Sequence, residues 1–199
     1  MASQSHIISE SCSVHQQGGS NVKTIVVYRS KTGFAKQYAE WIAESLSADL
    51  FEAGKVDGQV LASYDNVIYG GGLYAVGING VKLIKDNLHR LAGKKVVVFA
   101  TGASPGRPEE LDSMLSSNFT PEQLQQVRFF YLRGGFDASK LTLVDRLLMS
   151  MLKLKLKRKQ RSGALLPDER GMLNAYDRPV SFARQSNIAA LVSYVTQSE

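Results

Sequence analysis

The 199-residue chain has a single cysteine, Cys12, so no intrachain disulfide can form and no cysteine-based metal cluster can be built. One thiol in a chain of this length suits a reducing compartment, and a cytoplasmic location is expected. The histidines His6, His15 and His89 are scattered, which argues against a metal centre. No apolar run reaches the roughly 20 residues that a membrane-spanning helix needs. Residues Met1 to Asn21 lack both a basic start and an apolar core, so they do not read as a secretory signal. Rich in Ser, Gln and Gly, they are expected to form a disordered tail or leader, 1–21, ahead of one domain over 22–199.

What the chain does have is a strong strand–turn–helix signal at its start. Thr24 to Tyr28 is an apolar, β-branched run of the kind that forms a buried parallel strand. The polar turn Arg29-Ser30-Lys31-Thr32-Gly33 follows. Phe34, Tyr38, Trp41, Ile42 and Leu46 then fall at helical spacing. A tight turn with hydroxyls and a glycine, opening a helix, is a ready anion site, because the first N–H groups of the helix lack partners. The turn is neither GxGxxG nor a Walker sequence, which excludes those fingerprints there. An ordinary turn with Ser and Thr as helix caps is the competing reading.

Two later strands end in loops of similar interest. Asn66 to Tyr69 is a short strand predicted to run into a loop of Gly70, Gly71 and Gly72, with Leu73, Tyr74 and Ala75 projecting beyond it. Such a loop can approach a flat ligand closely, or can simply be flexible. Lys94 to Thr101 is the clearest strand after the first, and the loop Thr101-Gly102-Ala103-Ser104-Pro105-Gly106 succeeds it. Ala48 to Ala53 reads as an edge strand and Val127 to Leu132 as a further strand. Helices are predicted over Gly80–Leu91, Arg107–Ser116 and Val180–Tyr194, with Thr120 capping another turn and Pro121 at its first position.

Alternating strands and helices place the chain in the α/β class with a doubly wound parallel sheet and helices on both faces. In the strand order 2-1-3-4-5, the three loops meet at the switch point between the first and third strands. That geometry suits a mononucleotide with a flat ring.

Over roughly Lys23 to Val195 the chain resembles the flavodoxins. Their phosphate turn has the form Ser/Thr-x-Thr-Gly-x-Thr after the first strand. Ser30-Lys31-Thr32-Gly33-Phe34-Ala35 matches it except at Ala35, which lacks the hydroxyl. The resemblance implies FMN as cofactor, with its phosphate held by Ser30 to Ala35. Its ring would lie against Gly71, Gly72, Leu73, Tyr74 and Ala75 and against Thr101, Gly102, Ala103 and Ser104. No side chain is assigned as a general acid or base, because the flavin carries the chemistry.

The long insert 133–178, before the last helix, departs from a plain flavodoxin. From Arg133 to Arg161 it carries nine basic and two acidic residues, a net of +7, whereas the whole chain is +6. The basicity therefore belongs to the insert. In its centre Val144, Leu147, Leu148, Met151 and Leu152 are predicted to share one helical face, with Arg146, Ser150, Lys153 and Lys157 opposite. Residues 140–161 can lie on an anionic membrane surface, bind an anionic substrate with an apolar body, pair with a partner helix, or only pack on the domain. Nucleic acid is not expected, because the interleaving of aromatic and basic residues is absent.

Leu141 to Met149, with the basic end that follows, resembles the insert of the menaquinone-dependent protoporphyrinogen dehydrogenases of heme biosynthesis, as does the tail from Tyr176-Asp177. This implies a cytoplasmic flavoprotein, peripheral at the inner membrane face, that oxidises a protoporphyrinogen IX-like substrate and reduces a quinone. A soluble electron carrier or a binding module without catalysis is the alternative.

Overall fold

The computed structural model describes residues 22–74, 77–140, 143–164, 169–171, 173 and 178–197. The expected tail 1–21, Ala75 of the ring loop and the Tyr176-Asp177 pair lie outside the described residues.

The β-branched runs form the strands expected of them. A six-stranded sheet has the order β2-β1-β3-β5-β6, with β1 at Thr24–Arg29, β2 at Asp49–Glu52, β3 at Asn66–Tyr74, β5 at Lys95–Gly102 and β6 at Arg128–Arg133. These five strands run parallel. The sixth, β4 (Gly77–Ile78), turns back antiparallel along the tip of β3. Without that hairpin the order is the predicted 2-1-3-4-5.

Two cores lie on opposite faces of the sheet. Alternate β1 residues divide between them, Ile25 and Val27 to one side and Val26 to the other. Helix α1 (Phe34–Leu46) covers the second side with Tyr38, Ala39, Ile42 and Ala43, together with Leu191 and Val195 of the C-terminal helix, Ala189–Thr196. The short helices α2 (Gly58–Ala62) and α3 (Lys82–Asn87) cover the first side with Leu61 and Ile84. Helix α4 (Pro108–Asn118) follows β5, and α5 (Pro121–Leu124) opens on the expected cap: Thr120 Oγ1 accepts from Gln123 N–H and Gln123 Oε1 from Thr120 N–H.

Three expectations need correction. The glycines Gly70 to Gly72 form part of β3 and not a loop, because pairing with β1 continues to Gly71 and pairing with β5 to Gly72. The helix predicted from Gly80 is α3 followed by a 3-10 turn, Leu88–Arg90. Val180–Ser181, predicted to begin the last helix, is instead the strand β8, which pairs antiparallel with β7 (Gly135–Phe136). The two ends of the insert are thereby clasped at the sheet's carboxyl edge. Inside it, Leu143–Arg161 forms the helix α6.

Candidate cofactor site

The turn expected to hold a phosphate lies where β1 hands over to α1. Gly33 is the N-cap of α1 in the left-handed region, φ 93°, which a glycine adopts without strain. Gly33 offers no side chain to cap the helix, so its leading N–H groups face the turn. Ser30 Oγ accepts from Gly33 N–H at 3.0 Å and closes the turn on itself. The Phe34 and Ala35 side chains are buried, so these residues present backbone N–H groups and not side chains to an anion. Lys31 stands at the turn with its ammonium 3.9 Å from the Tyr74 ring centroid.

Register brings the other two segments beside it. Arg29 is opposite Gly71, Gly72 is opposite Thr101, and Gly102 is opposite Arg133. The tips of β1, β3 and β5 are thus consecutive at the switch point, where open α/β sheets bind ligands. The three glycines have different surroundings. A Cβ on Gly70 would lie 2.0 Å from Phe99 Cζ, and one on Gly71 would lie 2.7 Å from Asn79 O and Ile78 Cγ2. These two make room for protein. Among the described residues, a Cβ on Gly72 would meet only Thr101 Oγ1, at 3.9 Å, which leaves its face open. Leu73 packs toward the α3 core beside Gly102, whereas Tyr74 lies by the phosphate turn.

The segment after β5 is held by β6, a tie not evident in the sequence. Tyr131 Oη donates to Ser104 O at 2.8 Å and lies 3.1 Å from Ser104 Oγ. Burial raises the Tyr131 phenol pKa above its usual value, partly offset by the Ser104 hydrogen bond. Arg133 Nε donates to Ala103 O at 3.3 Å, and its guanidinium lies 3.7 Å from the Phe182 ring centroid. Glu110 Oε2 accepts from Gly106 and Arg107 N–H at the start of α4.

The root of the insert touches the site directly. Gly134 N–H donates to Gly102 O and Phe182 N–H to Gly134 O. A Cβ on Gly134 would lie 3.1 Å from Phe34 Cβ, and one on Gly135 would lie 2.6 Å from Phe34 Cζ. Phe34, next to the phosphate turn, is therefore covered by the insert's first residues.

The flavodoxin domain family matches residues 25–162, which take in the turn, all three strand tips and the whole of α6. This chain belongs to the flavodoxin domain family. It is similar to oxidised flavodoxin 2 from Bacillus cereus, at 25% identity over 56% of this chain and 86% of that one, with a TM-score of 0.37. It is similar too to a flavodoxin from the domain Archaea, at 19% identity over 64% and 90% of the two chains, TM-score 0.40. Two-electron reduced Megasphaera elsdenii flavodoxin is 17% identical over 54% and 84%, TM-score 0.40. No curated protein matches the chain.

FMN is the cofactor of this flavodoxin-like redox protein. The residues present fit it: an uncapped helix start under a left-handed glycine suits a phosphate, and the open face at Gly72 admits a flat ring. Bound FMN supplies the electron transfer, while the chain binds and orients it. Ser30, Thr32 and the N–H groups of Gly33 to Ala35 would hold the phosphate. Gly72, Tyr74 and the end of β5 would flank the ring.

Proposed function

We propose that the protein is an FMN-dependent dehydrogenase that takes electrons from an anionic substrate with a large apolar body, of the protoporphyrinogen IX kind, and delivers them to a quinone at an anionic membrane surface. The observation that carries this reading is the outward face of α6. Leu147, Met151 and Leu154, at i, i+4 and i+7, are 65%, 64% and 54% exposed. Lys155, Lys157, Arg158 and Arg161 are exposed beside them. The predicted stripe is divided: Leu152 is half-buried, the inward contact is made by Leu156, and the side chains of Val144, Arg146 and Leu148 lie outside the described residues. Apolar residues occur around most of this helix, so periodicity could not select the face that turns to solvent.

An apolar stripe with cationic flanks suits a lipid interface. Each basic residue near an anionic surface contributes about 1 kcal/mol, and each fully buried Leu or Met about 1.5–3 kcal/mol. Such contact would be peripheral, since no helix among the described residues is long and apolar enough to cross a membrane. The insert is rooted at the phosphate turn, so a membrane-bound α6 would keep the flavin near the quinone. The resemblance of Leu141 to Met149 supports the porphyrinogen assignment. A one-electron carrier between proteins has no need of the stripe.

The test is co-sedimentation with neutral and anionic vesicles, alongside porphyrinogen oxidation coupled to a menaquinone analogue. Wild type should bind anionic vesicles at low salt and turn over. Leu147→Glu with Met151→Glu should keep FMN and lose both. Failure of the wild type to bind vesicles or to oxidise the porphyrinogen would overturn the proposal.

A further inference from the structure

Lys140 lies in the insert, far along the chain from the phosphate turn, yet its ammonium stands over it. Among the described residues, a Cβ built on Gly33 would meet one heavy atom, Lys140 Nζ, at 3.9 Å. The same nitrogen is 5.9 Å from the Phe34 ring centroid. Three features hold it there. The pairing of β7 with β8 clasps the insert over Phe34. The 3-10 turn Ala138–Lys140 then aims the side chain back at α1. That turn is locked by Asp137 Oδ1, which accepts from Ser139 N–H at 3.0 Å and from Ser139 Oγ at 2.6 Å. Asp137 Oδ2 is 3.8 Å from Lys140 Nζ, a loose ion pair that leaves room for a stronger acceptor.

We infer that Lys140 pairs with the FMN phosphate over Gly33, so that the insert takes part in holding the cofactor. The inference rests on FMN occupying the Ser30 to Ala35 turn. A phosphate seated on the uncapped start of α1 lies on the open side of Gly33, the side from which Lys140 approaches. A dianionic phosphate attracts an ammonium more strongly than one carboxylate does, and a charge-assisted bond is stronger than a neutral one. The Lys140 side chain is 55% exposed, so salt should weaken the contact.

FMN and riboflavin are titrated into the full-length apoprotein at low and high salt, using flavin fluorescence quenching. Wild type should prefer FMN. Lys140→Met should lose about three- to tenfold in FMN affinity at low salt and much of the salt dependence, while riboflavin affinity stays unchanged and reports an intact fold. Lys140→Arg should retain most of the preference. Full FMN preference in Lys140→Met, or equal weakening of riboflavin, overturns the inference and leaves the phosphate turn standing. A wild type that binds the two flavins equally overturns the turn assignment, and the inference with it.

Discussion

Gly70 and Gly72 occupy successive same-face positions of β3, and an alanine at each should act in opposite ways. At Gly70 the new Cβ would lie 2.0 Å from Phe99 Cζ and 2.5 Å from both Phe99 Cε atoms. Phe99 is fully buried, its ring is rigid, and β5 fixes its backbone, so neither partner can withdraw. Overpacking of this kind costs about 1–3 kcal/mol, while reduced freedom of the unfolded chain returns about 0.4–1 kcal/mol. The net loss is about 1–2 kcal/mol, or a fall in Tm of about 2–8 °C for a chain of this size. At Gly72 the Cβ would touch, among the described residues, only Thr101 Oγ1, at 3.9 Å, an ordinary contact. Gly72→Ala should leave the apoprotein as stable as wild type or slightly more so. Its methyl would occupy the open face proposed for the ring, and FMN affinity should fall about tenfold, equivalent to ~1.4 kcal/mol. Urea denaturation of the apoproteins and FMN titration separate the two effects. Wild-type stability in Gly70→Ala would refute the packing argument, and unchanged FMN affinity in Gly72→Ala would remove the ring from the tip of β3.

Thr32→Ala should weaken FMN roughly ten- to hundredfold through loss of a hydrogen bond to a charged group, with riboflavin little affected in the same titration. Tyr38 Oη donates to Arg133 O at 2.7 Å and accepts from Asn187 Nδ2 at 2.7 Å, joining α1, the end of β6 and the C-terminal segment. Tyr38→Phe should therefore cost about 1–3 kcal/mol in urea denaturation, and a neutral outcome would show that this network carries little. Burial raises the Tyr131 phenol above its ordinary 10.0, so its stability contribution is present below pH 10 and is lost as pH rises through the folded value. Tyr69, also raised by burial, adds a second loss in the same direction. Denaturation of Tyr131→Phe in alkali should show a shallower decline than wild type, and an identical decline would exclude Tyr131 as a source.

The start of the domain was legible because its signals are local. The β-branched run at Thr24 to Tyr28, the hydroxyls and glycine of the turn, and the helical spacing from Phe34 each act through the chain's own backbone geometry. The same holds for the Thr120 cap and the edge strand at Asp49–Glu52. From these the α/β class and the opening strand–turn–helix unit follow. Tertiary structure decided the rest. Gly70 and Gly71 read as a loop until Phe99, Ile78 and Asn79 are seen filling the space beside them. Val180 reads as a helix start until it pairs with Phe136 across the whole insert. Burial of Leu156, which periodicity does not single out, leaves Leu147, Met151 and Leu154 facing outward. Lys140 read as one of the nine basic residues from Arg133 to Arg161 until the β7–β8 clasp brought it over Gly33. A residue's conformational preference is set by neighbours a few bonds away, whereas its partner is set by the closure of loops that local spacing does not encode.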